Sequence, residues 1–270
     1  MATQAPITHF TGTRVAIVTG GAQGIGKAIA LRLAADGFDI CVDDVASKIH
    51  LSKEVVAEIQ QLGRKAIALP YDVTKEQEVK EMVEKTVAEL GRLDVMVANA
   101  GIIQDHLNSV MEANIDEWES IWAVNVRGTV LCYKYAAIQM VKQNPGGRLI
   151  GASSICGLQG FANAGAYCMS KASVRSLTQT ASLELNKHKI TVNAYAPGVI
   201  ETQMKRYIPK FNGRAGIRSA LDRIFDQDKP GMKGMSIPEQ VASLVSYLAS
   251  PESHFLTGQT IAIDGGLVFN

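Results

Sequence analysis

Short apolar runs rich in β-branched residues alternate along the chain with longer segments whose apolar positions recur every three or four residues. The first run, Val15-Ala-Ile-Val-Thr19, is apolar at every position but its last, the pattern of a strand buried on both faces. Runs of the same kind stand at 38–42, 65–70, 93–97, 147–150, 190–195 and 259–263. Between them the periodicity predicts helices over 27–36, 51–62, 75–90, 115–141, 167–186 and 238–249. Gly37 and Gly63 stand just past two of these segments, where a helix ends most easily. Strand and helix in alternation predict an α/β fold, a doubly wound parallel sheet of about seven strands with helices on both faces. No repeat or linker divides the chain, so residues 14–270 are expected to form a single domain. Residues 1–13 form an N-terminal extension without the basic-then-apolar order of a signal peptide. The stretch 201–235 has no clean periodicity and carries eight Lys/Arg against three Asp. A connection of that length in a compact domain predicts a substrate lid.

The first strand runs straight into Gly20-Gly-Ala-Gln23-Gly24-Ile25-Gly26 and then into a helix. Glycines in that context let the backbone approach a pyrophosphate, which is held at the helix N-terminus by free N–H groups and the dipole. The second strand ends at Asp43-Asp44, and Asp44 follows the glycine turn by about 20 positions, where an acid accepts from a ribose hydroxyl and repels a 2′-phosphate. With no Arg or Lys in the glycine turn or next to Asp44, the expected cofactor is NAD (NADH) and not NADP. Asp72-Val73 follows the third strand, Asp72 placed either to bond an adenine amino group or to cap its own turn. The fourth strand ends in Ala98-Asn99-Ala100-Gly101, small residues against which a cofactor can lie. Asn125 and Gly128 interrupt an otherwise apolar helix, a sign of close packing or of a kink.

Tyr167 and Lys171 stand one helical turn apart, and Ser154 precedes the tyrosine by thirteen positions. An ammonium beside a phenol favours the phenolate and lowers its pKa, while a serine hydroxyl can hold a substrate oxygen. A Tyr-x-x-x-Lys pair also occurs on ordinary solvated helices, so the pair acquires meaning only from what surrounds it.

Composition narrows the function classes. A net charge of +1 announces neither a nucleic-acid nor a membrane partner, and no apolar run is long enough to span a bilayer. The four cysteines, Cys41, Cys132, Cys156 and Cys168, show no metal-like spacing, so no metal is expected and reduced thiols in the cytoplasm are the default.

Taken together, Thr19-Gly-x-x-x-Gly-x-Gly26, Asp44, Asp72-Val73, Asn99-Ala-Gly101, Asn125, Ser154, Tyr167-x-x-x-Lys171 and Pro197-Gly198-x-x-x-Thr202 resemble the short-chain dehydrogenases/reductases over nearly the whole chain. Within that family the helix after the glycine turn and the ending Ile-Asp-Gly-Gly-Leu-Val-Phe-Asn270 look most like acetoin/diacetyl (butanediol) reductases. The resemblance implies a Rossmann-type fold, a homotetramer, and a small carbonyl or alcohol as substrate, interconverted by hydride transfer. It implies Tyr167 as general acid or base, Lys171 as its partner and a ligand of the nicotinamide ribose, and Ser154 as the substrate-oxygen holder. Asn125 would anchor a proton-carrying water, and Thr202 would bind the carboxamide in a turn shared with Pro197, Gly198 and Ile200. Ala98 departs from the family, where Asn is frequent, and is expected to alter turn hydrogen bonding only. Sugar or polyol substrates, and a sensor without catalysis, are the alternatives.

Overall fold

The computed structural model describes residues 12–105, 108–144, 146–202 and 235–269. The N-terminal extension is described only from Gly12, and nearly all of the expected lid lies outside the described residues. The strands are β1 (Val15–Thr19), β2 (Asp39–Asp43), β3 (Ala66–Leu69), β4 (Val95–Ala98), β5 (Gly147–Ala152), β6 (Ile190–Pro197) and β7 (Thr260–Ile263). They form one seven-stranded sheet in the order β3-β2-β1-β4-β5-β6-β7, parallel throughout. Every residue of β1, β2, β5 and β6 is buried, the physical reason these segments do not alternate apolar with polar.

Helices α1 (Gly24–Ala35), α2 (Ile49–Gln61), α3 (Glu76–Leu90), α4 (Ile115–Trp122), α5 (Gly128–Gln143), α6 (Gly165–Leu185) and α7 (Pro238–Ala249) cover the sheet. On one face Ile29 and Leu33 of α1, Ile59 of α2 and Val245 of α7 pack with Val18 and Val42. On the other, Met82 of α3, Met140 of α5 and Ala181 of α6 pack with Ile17, Met96 and Leu149. Among the described residues no helix is long and apolar enough to cross a membrane.

The helix expected over 115–141 is not continuous. A π-helical turn, Ala123–Arg127, separates α4 from α5. The side chain of Asn125, buried within that turn, is bonded in both directions to the backbone of Ile102: its Nδ2 donates to the carbonyl (2.9 Å) and its Oδ1 accepts the N–H (2.8 Å). Gly128 follows where α5 presses on Val73, and a Cβ there would stand 2.8 Å from Val73 Cγ2. A π turn and close packing therefore meet at this place. A single π turn leaves the apolar periodicity almost intact, so the sequence reads as one helix.

From β1 the chain steps outward through β2 and β3, then returns to β4 on the other side of β1 and proceeds the opposite way. The order reverses between β1 and β4, which opens a crevice above their carboxyl ends, where ligands bind in sheets of this kind.

Candidate active site

A cavity of about 500 Å³ occupies the crevice, lined by the glycine turn, the ends of β2, β4, β5 and β6, and the start of α6. Gly20 and Gly24 have φ of +64° and +55°, the left-handed region that favours glycine. At Gly26 the constraint is space: a Cβ would sit 2.1 Å from the Gly20 carbonyl oxygen. Gln23, the N-cap of α1, makes no side-chain capping bond to the helix, whose first N–H groups lie at the crevice. Thr202 stands over Gly24, its Cγ2 3.4 Å from where a Cβ would be. Pro197 ends β6, Gly198 donates to the Ile263 carbonyl (3.1 Å), and Ile200 bridges to Ser236. These features fit a dinucleotide, its pyrophosphate at α1 and its ribose at the end of β2.

At that ribose end Asp44 accepts the Ala22 N–H (3.3 Å) and the Val45 N–H (2.9 Å) and is buried. The expectation that no cation stands beside it is corrected. Lys48, one turn on, places its Nζ 3.6 Å from Asp44 Oδ1 at the cavity wall. Asp72 spends Oδ1 on the N–H and hydroxyl of Thr74 (2.9 and 2.8 Å), so it does cap its own turn, while Val73 packs on Gly128.

Asn99 acts as a tie behind the glycine turn. Its Nδ2 donates to the carbonyls of Thr19 (2.8 Å) and Gly20 (3.2 Å), and its Oδ1 accepts the Tyr195 hydroxyl (2.8 Å). Thr19 Oγ1 accepts the N–H groups of Asn99 and Ala100, both at 3.1 Å, so the turn after Ala98 is held without help from that residue. Gly101 leaves the gap through which Lys171 Nζ and Asn125 Oδ1 approach, 3.2 and 3.3 Å from a Cβ placed there.

Ser154 follows β5, Tyr167 and Lys171 lie in the first two turns of α6, and all three line the cavity. Ser154 Oγ accepts the Cys156 N–H (3.2 Å), and its hydroxyl is bonded to the Tyr167 phenol, which puts the two groups side by side. Lys171, 4% exposed, donates to the Ala152 carbonyl (2.9 Å) with its Nζ 5.5 Å from the Tyr167 ring centroid. Asn125 Nδ2 also donates to Ser170 Oγ (2.9 Å), and Ser170 donates to the Tyr167 carbonyl (2.8 Å).

A family model described as enoyl-(acyl carrier protein) reductase matches residues 20–268. A short-chain dehydrogenase/reductase of Hericium erinaceus is 45% identical, covering 93% of this chain and 96% of its own. Diacetyl reductase [(S)-acetoin forming] of Staphylococcus epidermidis is 41% identical over 95% of this chain and 99% of its own. The crystal structure of acetoin dehydrogenase from Salmonella typhimurium superposes with a TM-score of 0.80 at 33% identity, covering 96% of this chain and 99% of that one. The chain belongs to the short-chain dehydrogenase/reductase family. It is an oxidoreductase of alcohol and ketone groups.

The electrostatics of this short-chain dehydrogenase/reductase differ from expectation in one respect. Burial holds the Tyr167 phenol above its ordinary pKa, with the Cys156 thiol adding to the rise and the Ser154 hydroxyl opposing it. Burial also disfavours the Lys171 ammonium, bringing its pKa down to about 8. Two site residues escaped the sequence reading. Tyr195 reaches Asn99 from β6, as above. Gln104, 3% exposed, accepts the Tyr167 N–H on Oε1 (3.1 Å) and donates from Nε2 to the Asn163 carbonyl (3.0 Å). Ala164, the N-cap of α6, provides no capping side chain, so Gln104 supplies from a distant loop the acceptor that the helix start lacks. Only its position shortly after Asn99-Ala-Gly101 hinted at a role.

Proposed function

We propose that the chain is an NAD(H)-dependent cytoplasmic enzyme that interconverts small vicinal diketones or hydroxyketones, such as diacetyl and acetoin, with the corresponding alcohols. The observation that carries this reading is the convergence of Ser154, Tyr167 and Lys171 on one wall of the cavity whose other end carries Asp44. The similarity to a diacetyl reductase supplies the substrate class. Asp44 receives the adenosine ribose hydroxyls, the N-terminus of α1 the pyrophosphate, and the segment 197–202 the carboxamide. NADH, when bound, supplies the hydride that adds to the carbonyl carbon.

The chain's own residues manage the oxygen and its proton. Ser154, its lone pair engaged by Cys156, donates to the substrate oxygen, and Tyr167 gives that oxygen a proton as the alcohol forms. Lys171 has one N–H on Ala152, which leaves the others for the nicotinamide ribose and for returning the proton to Tyr167. The Asn125 carbonyl accepts the Thr129 hydroxyl (2.8 Å) with one lone pair, and its second is the acceptor we assign to a water that links Lys171 to solvent. The apolar stripe Val130, Ile138 and Val141 on the exposed side of α5 supports assembly as a homotetramer. The basic lid that would favour sugars or polyols lies outside the described residues, so nothing in the structure advances that alternative.

The test is NADH oxidation followed by absorbance with diacetyl, acetoin and a polyol panel, repeated with Tyr167→Phe. The expected result is turnover of diacetyl, lost in the variant while NADH binding persists. Tight NADH binding with no turnover on any ketone or alcohol would point instead to a sensor.

A further inference from the structure

Beside the hydroxyls of the active site lie two thiols that the mechanism does not use. Cys156 is the middle residue of the 3-10 turn Ile155–Gly157, directly after Ser154, and Cys168 is the residue after Tyr167 on α6. Turn and helix are in direct contact. A Cβ on Gly157 would meet the Lys171 carbonyl oxygen at 2.5 Å, and Ser153 Oγ donates to the same oxygen at 2.9 Å. The two thiols interact across this contact, each shifting the ionisation of the other. Both are partly accessible, whereas Cys41 and Cys132 are buried in the core. The neighbouring Cys156 lowers the Cys168 thiol against the opposing effect of burial, and Cys168, with burial, pushes Cys156 up. The pair is thus asymmetric, with one sulfur poised as thiolate and the other as the thiol that stabilises it.

We propose that Cys156 and Cys168 are a redox modification site, closing to a reversible disulfide that disables the active site when the chain meets a hydroperoxide. The Cys168 thiolate attacks the peroxide oxygen; the S–O bond forms, the O–O bond breaks, and the departing alkoxide or hydroxide takes a proton from solvent. Cys156 sulfur then attacks the sulfenic acid; the S–S bond forms, the S–O bond breaks, and the hydroxide leaves as water with the Cys156 proton. Two thiols lose two electrons and the peroxide gains them. A dithiol reverses the change by exchange. Closing the sulfurs to about 2.05 Å draws the 3-10 turn toward the first turn of α6. Cys156 donates its N–H to Ser154 Oγ and Cys168 adjoins Tyr167, so both catalytic hydroxyls shift with the bond.

The experiment treats the full chain with hydrogen peroxide, alkylates free thiols and maps peptides by mass. Expected is a cross-linked pair of peptides two mass units lighter, a loss of diacetyl turnover of about tenfold or more, and recovery with dithiothreitol. Cys156→Ser and Cys168→Ser should each abolish the cross-link and leave turnover resistant to mild peroxide; Cys41→Ser should change neither. Independent alkylation of Cys156 and Cys168 after peroxide overturns the proposal, as does a cross-linked protein with unchanged turnover. The inhibitory half rests on the function proposed above. If the untreated chain reduces nothing, the cross-link is still read by mass, and its effect by NADH fluorescence titration, so the two failures are distinguishable.

Discussion

Asp43 ends β2 with its carboxyl wholly buried: Oδ1 accepts the Tyr71 N–H (3.2 Å) and Oδ2 has no partner among the described residues. Burial pushes its pKa well up, the Tyr71 N–H opposes the rise, and the charges of Asp44, Glu78 and Asp72 add to it. A raised acid is protonated in the folded chain over a pH range where the unfolded chain, with a pKa of about 3.9, has released the proton. In that range the folded state binds more protons, so stability falls as pH rises. The contribution is whole below the unfolded pKa and declines by about 1.4 kcal/mol per pH unit until Asp43 ionises in the folded state. Asp43→Asn keeps an acceptor for Tyr71 and cannot ionise. It is therefore expected to match or slightly trail the wild type near pH 4 and to gain on it as pH rises. At this chain length each kcal/mol moves Tm by about 2–4 °C. Thermal unfolding by circular dichroism from pH 4.5 to 7.5 should show the difference in Tm widening by about 3–6 °C per pH unit until Asp43 ionises in the folded state. A difference that stays constant across the series, or one that narrows, would refute the assignment of Asp43 as a neutral buried acid.

Asp44→Ala should weaken NADH binding and narrow its margin over NADPH, because Lys48 then faces the 2′-position unopposed; adding Lys48→Ala should restore part of the margin, both read by fluorescence titration. Gly26→Ala should abolish cofactor binding without unfolding the sheet, since the new methyl would displace the Gly20 carbonyl; retained NADH affinity would contradict the close approach described. Gln104→Leu removes the remote cap of α6 and should cost about 1 kcal/mol of stability together with a larger loss in kcat than in KM, whereas Gln104→Glu, which keeps the acceptor for Tyr167, should recover most of kcat.

The parts of the site that were readable in the sequence are those built within one turn or one strand–helix junction. The glycine turn, and Tyr167 with Lys171, declare themselves by spacing because the physics that places them is local. The strands were readable for a related reason: a parallel sheet covered on both faces makes each one a continuous apolar run. The unreadable parts are contacts between distant segments. Gln104 meets Tyr167 across 63 positions and Tyr195 meets Asn99 across 96, and polar residues of these kinds carry no local mark of a partner. Lys48 was misjudged for a different reason. It stands four residues past Asp44, and only the short 3-10 turn Ala46–Lys48 folds it back. The π turn was hidden because one extra residue in a helix barely disturbs the apolar period.

Gln104 has a consequence for how this enzyme can change. Its amide spends one end on Asn163 and the other on Tyr167, so the loop leaving β4 and the turn before α6 form one mechanical piece. Asn163 turns the chain at the joint with a left-handed backbone, φ +65°, which asparagine tolerates. Substitutions in the turn before α6 will therefore also move the loop after β4, whose residues 99–103 line the cavity.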